Sequence, residues 1–542
     1  MRLNAAWRWF LAYTAAFAVL AGFVFWGTWS MDFAPVMPDS PIAYPPSWFA
    51  DFWANWTAEG RFTPLDLTVF LGSPYFWQEL KYVLGTFFAG LAIVYYLRGR
   101  GVSRLGSYSA GLLLPFSGYW LTLFSAGHLG WFMWMAYGLF PFGLADRAIR
   151  KGKAKNWLLL GATLGWACYW QTDLWLLFAA FSGIHFVYVC VRERRIPSWK
   201  GILLAALAFF AIGAAGIRKA FVQDLAGRES QIESGETLTA EQKSKADAAE
   251  SRWIFVTNWS LPFSETAEFL LPRINGDTSC QLTLAIGNQN RTGVKPYVGA
   301  IGRPYGAERG NYRQHSVYVG FVTCLLALFA VATSFAKGRR SRDVWFFAGA
   351  AILFWLCSLG RYCEPVYRVI FALPFGDTMR CPVKWHHLTE FCLAVLAGFG
   401  VARLELLSGK FGRWGRFAVM AIVLVGAADL ARVAKLYCAP VPIGEARRQR
   451  RSFEFTGLPY SAFSNPQVAQ AVKTRQIVPV AHVANNPATP KDDFYLVGLL
   501  KPWGERAKAV PFGAPAWLGI LSAVAGLSVS AYAIRKALGL TK

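Results

Sequence analysis

Four side chains that bind anions or exchange protons lie within the eight-residue segment RCPVKWHH. Arg380 can grip a phosphate through two parallel hydrogen bonds, whereas Lys384 offers a compact point charge. His386 and His387 can take up or release a proton near neutral pH. The apolar stretch LTEFCLAVLAGFGVA follows at once, so the cluster should lie at the mouth of a membrane-spanning helix. The pattern predicts either a site for a lipid phosphate or simple anchoring of the helix among headgroups.

An enzyme that transfers a group to a hydroxyl also needs a carboxylate to accept the hydroxyl proton. The long loop after the first apolar segment offers several, of which Asp32 and Asp39 lie nearest to that segment. Asp51 lies in an amphipathic stretch of the same loop and is an auxiliary candidate. Asp173 lies in the short turn YWQTDLW between two apolar segments, where it could support the site or cap a helix.

Three further residues could join such a site or act as ordinary membrane-flanking groups. His128 lies at a turn between two apolar segments, and Arg309 and Arg313 precede a later one. The cysteines show no zinc-ligand spacing, so we predict no structural metal site, although a divalent cation such as Mg²⁺ or Mn²⁺ could assist at a phosphate. Cys363 and Cys381 flank one loop and could form a disulfide in an oxidising compartment.

The composition predicts that membrane-spanning helices position these residues. Of the 542 residues, 55% are hydrophobic and 16% charged, whereas soluble proteins carry about 25% charged residues. Apolar segments of about 17–22 residues recur along the chain, long enough to cross a hydrocarbon core of ~30 Å as helices. We therefore predict an all-α polytopic membrane protein with about twelve transmembrane helices. The predicted spans are residues 9–28, 81–97, 105–126, 128–145, 157–171, 174–191, 201–221, 315–336, 344–360, 388–405, 417–436 and 514–533.

The net charge of +24 is concentrated in alternate loops. These are residues 98–104, 146–156, 192–200, 337–343 and 403–416, which together with the two tails hold 25 basic and four acidic residues. Such an excess is expected of cytoplasmic loops. It predicts cytoplasmic N and C termini, and it removes the main argument for a nucleic-acid partner.

With this orientation the long connections all fall on the outer face. They are residues 29–80, 222–314, 361–387 and 437–513. We predict a transmembrane core over residues 1–436 that includes the first three loops, a small outer-face cap at 437–513, and a last transmembrane helix with a cytoplasmic tail at 514–542. Because no soluble catalytic domain is evident, any chemistry must be built where the outer loops meet the membrane.

Five motifs follow one another over roughly residues 55–405: FTPLDLTVFLGSPYFW, FSGYWLTLFSAGHLGWFMW, NWSLPFSETAEFLLPRINGD, YVGFVTCLLALFA and LGRYCEPVYRVIFALPFGDTMRCPVKWHHLTEFCLAVLAGFG. In this order and topology they resemble the GT-C superfamily of membrane glycosyltransferases, and within it the bacterial YfhO-type multispan proteins. The resemblance implies a GT-C-like helical architecture in a bacterial inner (plasma) membrane. It also implies transfer of a sugar from a polyprenyl-phosphate donor to an acceptor on the outer face, which could be an envelope glycan, a lipid or a protein.

The resemblance further implies a catalytic aspartate in the first outer loop and basic donor-phosphate ligands in a later one. Asp32 and Asp39 match the former, and Arg380 and Lys384 match the latter. The superfamily usually has an acidic pair soon after its first span, whereas these two aspartates are seven residues apart. The identity of the base therefore stays open.

Two other functions remain open. A transporter or lipid flippase would share the number of spans, although it would usually place its polar residues at the midplane of repeated halves. A noncatalytic envelope-assembly protein would keep the fold without a complete acidic pattern. The residues specify neither the sugar nor the acceptor, nor the anomeric outcome, because specificity depends on pocket shape.

Overall fold

This computed structural model describes residues 5–25, 33–35, 63–65, 74–126, 129–170, 172–221, 248–276, 299–301, 316–335, 339–437, 440–442, 524–526 and 528–529. Within these ranges the chain is almost entirely helical. The first nine helices are α1 (Ala5–Val24), α2 (Pro74–Gly99), α3 (Arg104–Leu113), α4 (Gly118–Ala126), α5 (Leu129–Gly138), α6 (Phe140–Lys151), α7 (Ala154–Ala167), α8 (Thr172–Glu193) and α9 (Trp199–Arg218). The later helices are α10 (Ala248–Thr257), α11 (Phe321–Ala332), α12 (Arg339–Ser358), α13 (Glu364–Phe371), α14 (His386–Ser408) and α15 (Gly412–Tyr437).

Short elements connect some of these helices. Two three-residue strands, β1 (Phe33–Pro35) and β2 (Pro440–Pro442), pair in antiparallel fashion and so join the segment after α1 to the segment after α15. The remaining elements are 3₁₀ turns at Leu114–Phe116, Phe263–Phe269, Thr333–Phe335, Gly360–Cys363, Pro382–Trp385 and Gly409–Phe411.

Large apolar side chains cover the outside of the helical bundle. Examples on five different helices are Val19, Leu207, Leu328, Ile352 and Val425, all of them exposed. Soluble monomers rarely leave apolar surface exposed on this scale, whereas lipid covers it in a bilayer. The chain is therefore an all-α membrane protein.

Four helical stretches of the described residues are long and apolar enough to cross a membrane: Ala5–Val24, Thr172–Glu193, Trp199–Phe221 and Pro382–Lys435. A fifth is added if α12 and the segment Gly360–Phe371, which meet at 115°, form one span. The stretch Pro382–Lys435 contains both α14 and α15 and is too long for a single crossing. The predicted number of twelve spans therefore stays a prediction.

Two predicted spans are divided because of proline. Segment 105–126 splits into α3 and α4 at a 3₁₀ turn that contains Pro115, and segment 128–145 splits into α5 and α6, with Pro141 in the first turn of α6. Proline lacks a backbone N–H and cannot complete the helical ladder, so a new helix starts there. Each apolar segment therefore folds as two shorter helices.

Helix α14 lies at the centre of the bundle, and its side chains from His386 to Ala402 are buried with the exception of Leu393. It packs closely on its neighbours through glycine. A methyl group at Gly400 would overlap the carbonyl oxygen of Leu326 in α11, and one at Gly106 in α3 would overlap the carbonyl oxygen of Gly398. Small residues at such positions let helix backbones approach within a membrane.

Buried ion pairs join four of the five basic loops at one end of the bundle. Arg100, which follows α2, contacts Asp146 of α6, and its Nη2 lies 2.6 Å from Oδ1 of Asp343 in α12. Its Nη1 also lies 3.6 Å from Oε1 of Glu193, the last residue of α8. Three of the four acids in the basic loops and tails are thus used at this one end. We call it the Arg100 end; the side of the membrane that it faces stays a prediction.

Candidate functional site

The segment from Arg380 to His387 lies at the opposite end of the bundle, which we call the Lys384 end. The length of helix α8 gives the distance between the two ends. Lys384 contacts Asp173 in the first turn of α8, and Arg100 contacts Glu193 at its last residue. Twenty residues of α-helix separate the two acids, or about 30 Å at a rise of 1.5 Å per residue. This equals the thickness of a hydrocarbon core, so α8 is long enough to place the two ends on opposite sides of a membrane.

A tight turn presents Lys384 at the start of α14. Cys381 has a left-handed backbone with φ of 68°, and Pro382 then begins a 3₁₀ turn that leads directly into α14. The N–H of Val383 donates to the carbonyl of Trp259 at 3.1 Å, and the N–H of Lys384 donates to the carbonyl of Cys381 at 2.9 Å. The backbone is thus held at the lysine and at the residue before it, which restricts the direction of its side chain.

Lys384 forms a direct ion pair with Asp173. Its Nζ contacts Oδ2 of the aspartate, and the two side chains are only 7% and 1% exposed. The ammonium nitrogen also lies 5.8 Å from the ring centroid of Trp131 in α5, within the range of a cation–π contact. A buried ammonium needs a counter-charge, and Asp173 supplies it. Lys384 is therefore not a headgroup anchor that extends into solvent.

Arg380 contacts different aromatic side chains. Its guanidinium carbon lies 5.7 Å from the ring centroid of Phe255 in α10 and 5.7 Å from that of Trp259. The side chain is half-buried, so part of it remains accessible. Arginine combines such stacking with a planar fork of N–H donors that suits phosphate.

His386 and His387 are fully buried rather than exposed at the membrane surface. Nε2 of His386 lies 3.0 Å from the carbonyl oxygen of Val317. The ring of His387 stacks on Tyr119, with 4.2 Å between centroids, and lies 4.2 Å from the ring of Trp120. Neither histidine is placed to contact bulk lipid headgroups, which removes the simple anchoring interpretation for both. Their predicted role at a donor phosphate stays a prediction.

The sequence reasoning missed Glu390, which is buried directly beneath these histidines. Its Oε1 accepts a hydrogen bond from the N–H of Tyr119 at 3.3 Å, and its Oε2 lies 3.5 Å from Nδ1 of His387. Oε1 also lies 3.7 Å from Nε2 of His386. The spacing could have indicated this contact: Glu390 follows His386 by four positions and His387 by three, and residues at these separations share one helix face. Glu390 was overlooked because it lies within the apolar run LTEFCLAVLAGFGVA, which was assigned to a membrane span as a whole.

The other predicted site residues lie outside the described residues. They are Asp32, Asp39, Asp51, His128, Arg309 and Arg313. Asp173 is thus the one candidate acid of the sequence prediction that the structure describes, and it pairs with Lys384. Among the described residues, no group of three or more His, Cys, Asp and Glu side chains could hold a metal ion. Cys363 and Cys381 are free thiols.

Comparison with known proteins gave matches among solved structures only. No protein-family model and no curated protein matches the sequence. The structure is similar to the apo form of the Archaeoglobus fulgidus oligosaccharyltransferase with a TM-score of 0.41 and 12% identity, over 96% of this chain and 64% of that one. A second structure of that enzyme, tethered through a disulfide to an acceptor peptide with the NVT sequon, gives 0.32 and 11%, over 93% and 63%. The chain spans just under two thirds of that enzyme, and scores of this size do not establish a common fold.

Proposed function

We propose that this chain is a membrane glycosyltransferase of the GT-C type. It would move a sugar from a polyprenyl-phosphate donor to a glycan, lipid or protein acceptor on the outer face of the bacterial plasma membrane. The observation that carries the proposal is the buried Lys384–Asp173 pair, in which Lys384 lies four residues after the half-buried Arg380. The order of the five sequence motifs supports it.

In the proposed reaction, the acceptor oxygen forms a bond to the anomeric carbon while the bond from that carbon to the phosphate oxygen breaks. The acceptor proton passes to a carboxylate, and the polyprenyl phosphate leaves with one more negative charge. Lys384 and Arg380 would stabilise this charge as it develops, which accelerates the step because the interaction strengthens in the transition state. Asp173 is tied to Lys384, so it would keep the ammonium charged and correctly aimed.

The base in this scheme is Asp32 or Asp39, since Asp173 already serves the lysine. The sequence is compatible with a divalent cation. No suitable group of ligands occurs among the described residues, so any such cation would need ligands from other parts of the chain. We therefore assign no step to a metal. Activity that survives EDTA would support this scheme, whereas activity that returns only with Mg²⁺ or Mn²⁺ would require a metal in it.

Binding of the lipid phosphate can be measured without knowing the sugar or the acceptor. The purified chain in lipid nanodiscs would be titrated with a fluorescent polyprenyl phosphate. We expect Arg380→Gln and the double variant Lys384→Met/Asp173→Leu each to weaken binding at least tenfold, because each removes a cation from the phosphate. The matched control is Arg368→Gln, an exposed arginine of α13 that pairs with Glu364 and lies 4.0 Å from the ring centroid of Trp253; it should bind as the unaltered chain does.

Unchanged binding in both Arg380→Gln and the double variant would reject the proposed donor site. For the reaction itself, reconstituted chain would be supplied with radiolabelled polyprenyl-phosphate hexoses and envelope extracts as acceptors. Transfer that is lost in Arg380→Gln and kept in Arg368→Gln is the expected result. Transfer that persists when Asp32 and Asp39 are both replaced by alanine would exclude them as bases.

A lipid flippase or transporter is the second candidate, favoured by Glu390, His386 and His387. These are ionisable groups buried within the bundle, where transport proteins often carry them. Movement of a fluorescent polyprenyl phosphate between the leaflets of proteoliposomes, without any sugar transfer, would support this function. We expect no such movement.

A further inference from the structure

The turn between α14 and α15, taken here as Gly409–Phe411 with the first four residues of α15, carries an arrangement that the proposed function does not use. Two exposed aromatic rings lie beside basic side chains: Lys410 Nζ is 5.0 Å from the ring centroid of Phe411, and the guanidinium carbon of Arg413 is 5.3 Å from that of Trp414. Phe411 is 62% exposed and Trp414 68%. Because α14 starts at the Lys384 end and has 23 residues, the turn lies at the Arg100 end, where the other basic loops meet.

Glycines fix the shape of this turn. Gly412 has φ of +57°, a backbone conformation that side chains with a Cβ rarely adopt. A methyl group at Gly415 would overlap the carbonyl oxygen of Ser408. The two aromatic–basic pairs are therefore presented by a tight, defined connection between two long helices rather than by an extended loop.

The positive charge of the turn favours an anionic partner. Four basic residues lie between positions 403 and 416, and the acid among them, Glu405, lies 3.5 Å from Arg416. Three positive charges are left without an acid in this segment. Lysine, arginine and tryptophan bind anionic headgroups at the membrane boundary through charge and through an amphipathic ring.

The position of the turn favours membrane lipids over a soluble molecule as the partner. Exposed Leu406, Leu407 and Phe417 flank the basic residues on the two helices, and both helices belong to the apolar stretch Pro382–Lys435. The turn thus lies where hydrocarbon gives way to headgroups. We propose that residues 403–417 form a binding site for anionic phospholipid headgroups in the leaflet at the Arg100 end. This site is independent of the proposed transferase function.

The chain provides a matched control for the test. Lys151 and Lys153, which flank Gly152 between α6 and α7, are also exposed and also lie at the Arg100 end, but no aromatic side chain stacks on them among the described contacts. The variants Lys410→Gln/Arg413→Gln and Lys151→Gln/Lys153→Gln therefore remove the same charge from the same end. They differ in whether the lost cations lie beside exposed aromatic rings.

Native mass spectrometry of the full-length chain in detergent, titrated with phosphatidylglycerol or phosphatidylcholine, measures the binding. We expect the tightest phosphatidylglycerol adduct to weaken at least about fivefold in Lys410→Gln/Arg413→Gln, because the proposed site holds its headgroup against these two cations and one basic residue beside an anionic headgroup contributes about this factor. The Lys151→Gln/Lys153→Gln control should bind as the unaltered chain does, and phosphatidylcholine binding should not change. Phe411→Leu/Trp414→Leu, which keeps every charge, should lose part of the preference. Circular dichroism confirms that each variant is folded.

Three results would overturn the proposal. Equal weakening in the control pair would mean that lipid responds to the overall charge of this end and not to the turn. Unchanged phosphatidylglycerol binding in Lys410→Gln/Arg413→Gln would mean that the turn binds no lipid. A dimer in detergent that dissociates in this variant, with lipid binding unaltered, would assign the surface to a second copy of the chain.

Discussion

Lys384 and Asp173 are 211 positions apart in the chain and form a buried ion pair that ties the start of α14 to the start of α8. Removal of Asp173 would leave the buried ammonium of Lys384 without the carboxylate that the structure shows beside it. The pair therefore links the stability of the Lys384 end to its chemistry.

Removing one member of this pair should cost more stability than removing both. We expect Asp173→Leu to lower the free energy of unfolding by about 3–5 kcal/mol, because the ammonium of Lys384 stays buried without the carboxylate that pairs with it. The double variant should recover most of that loss. Thermal unfolding of the purified variants measures the coupling. The exposed pair Arg368–Glu364 serves as the comparison and should contribute less than about 1 kcal/mol.

Arg100 should be the most sensitive residue at the opposite end. It pairs with Asp146 and Asp343, which also pair with Arg150 and Arg192, so Arg100→Gln leaves each buried carboxylate with one arginine instead of two. We expect a loss of about 1–3 kcal/mol in the free energy of unfolding, because charge-assisted hydrogen bonds are lost while each carboxylate keeps one cation. Arg416→Gln, which loses an exposed contact with Glu405, is the control. Equal effects of the two variants would show that Arg100 makes no special contribution.

Gly400 should not tolerate a side chain. An alanine there would overlap the carbonyl of Leu326 and force α14 away from α11, at an expected cost of about 1–3 kcal/mol. Gly183→Ala in α8 is the matched control, since nothing lies within 4 Å of its added methyl group and alanine favours a helix. The control should unfold at the same or a slightly higher temperature. A shared decrease would point to helix flexibility instead of packing.

Glu390 should act chiefly as an acceptor for the N–H of Tyr119. Glu390→Gln keeps an oxygen at this place, whereas Glu390→Ala leaves the buried N–H without the acceptor that the structure shows. We expect the alanine variant to be less stable than the glutamine variant by about 1–3 kcal/mol. Equal stability of the two would assign the role of Glu390 to its charge near His386 and His387.

The predicted orientation can be tested with single cysteines in a chain from which the nine native cysteines have been removed. Arg368→Cys is exposed at the Lys384 end, and Lys151→Cys is exposed at the Arg100 end. In intact spheroplasts, a membrane-impermeant maleimide should label position 368 and spare position 151 until the cells are lysed. The reverse pattern would place the Lys384 end in the cytoplasm and exclude the outer-face reaction.

The membrane class and most helices could be predicted because they depend on local composition and on the length of apolar segments. The breaks near Pro115 and Pro141 were also readable in principle, since proline acts on its own neighbourhood. The Lys384–Asp173 contact could not be predicted, because no local pattern reports which helix ends meet across more than two hundred residues. Glu390 was missed for a different reason: a single acid barely changes the hydropathy of a long apolar run.

Helix α8 is held at both of its ends by buried ion pairs. With Asp173 in its first turn and Glu193 at its other end, each held by a buried cation, it cannot slide along the membrane normal without breaking one of the two contacts. The separation of about 30 Å thus sets the bilayer thickness that suits the protein. In a thinner or thicker bilayer, hydrophobic mismatch would strain the Lys384–Asp173 pair. The lipid composition of the host membrane would therefore change the geometry of this ion pair.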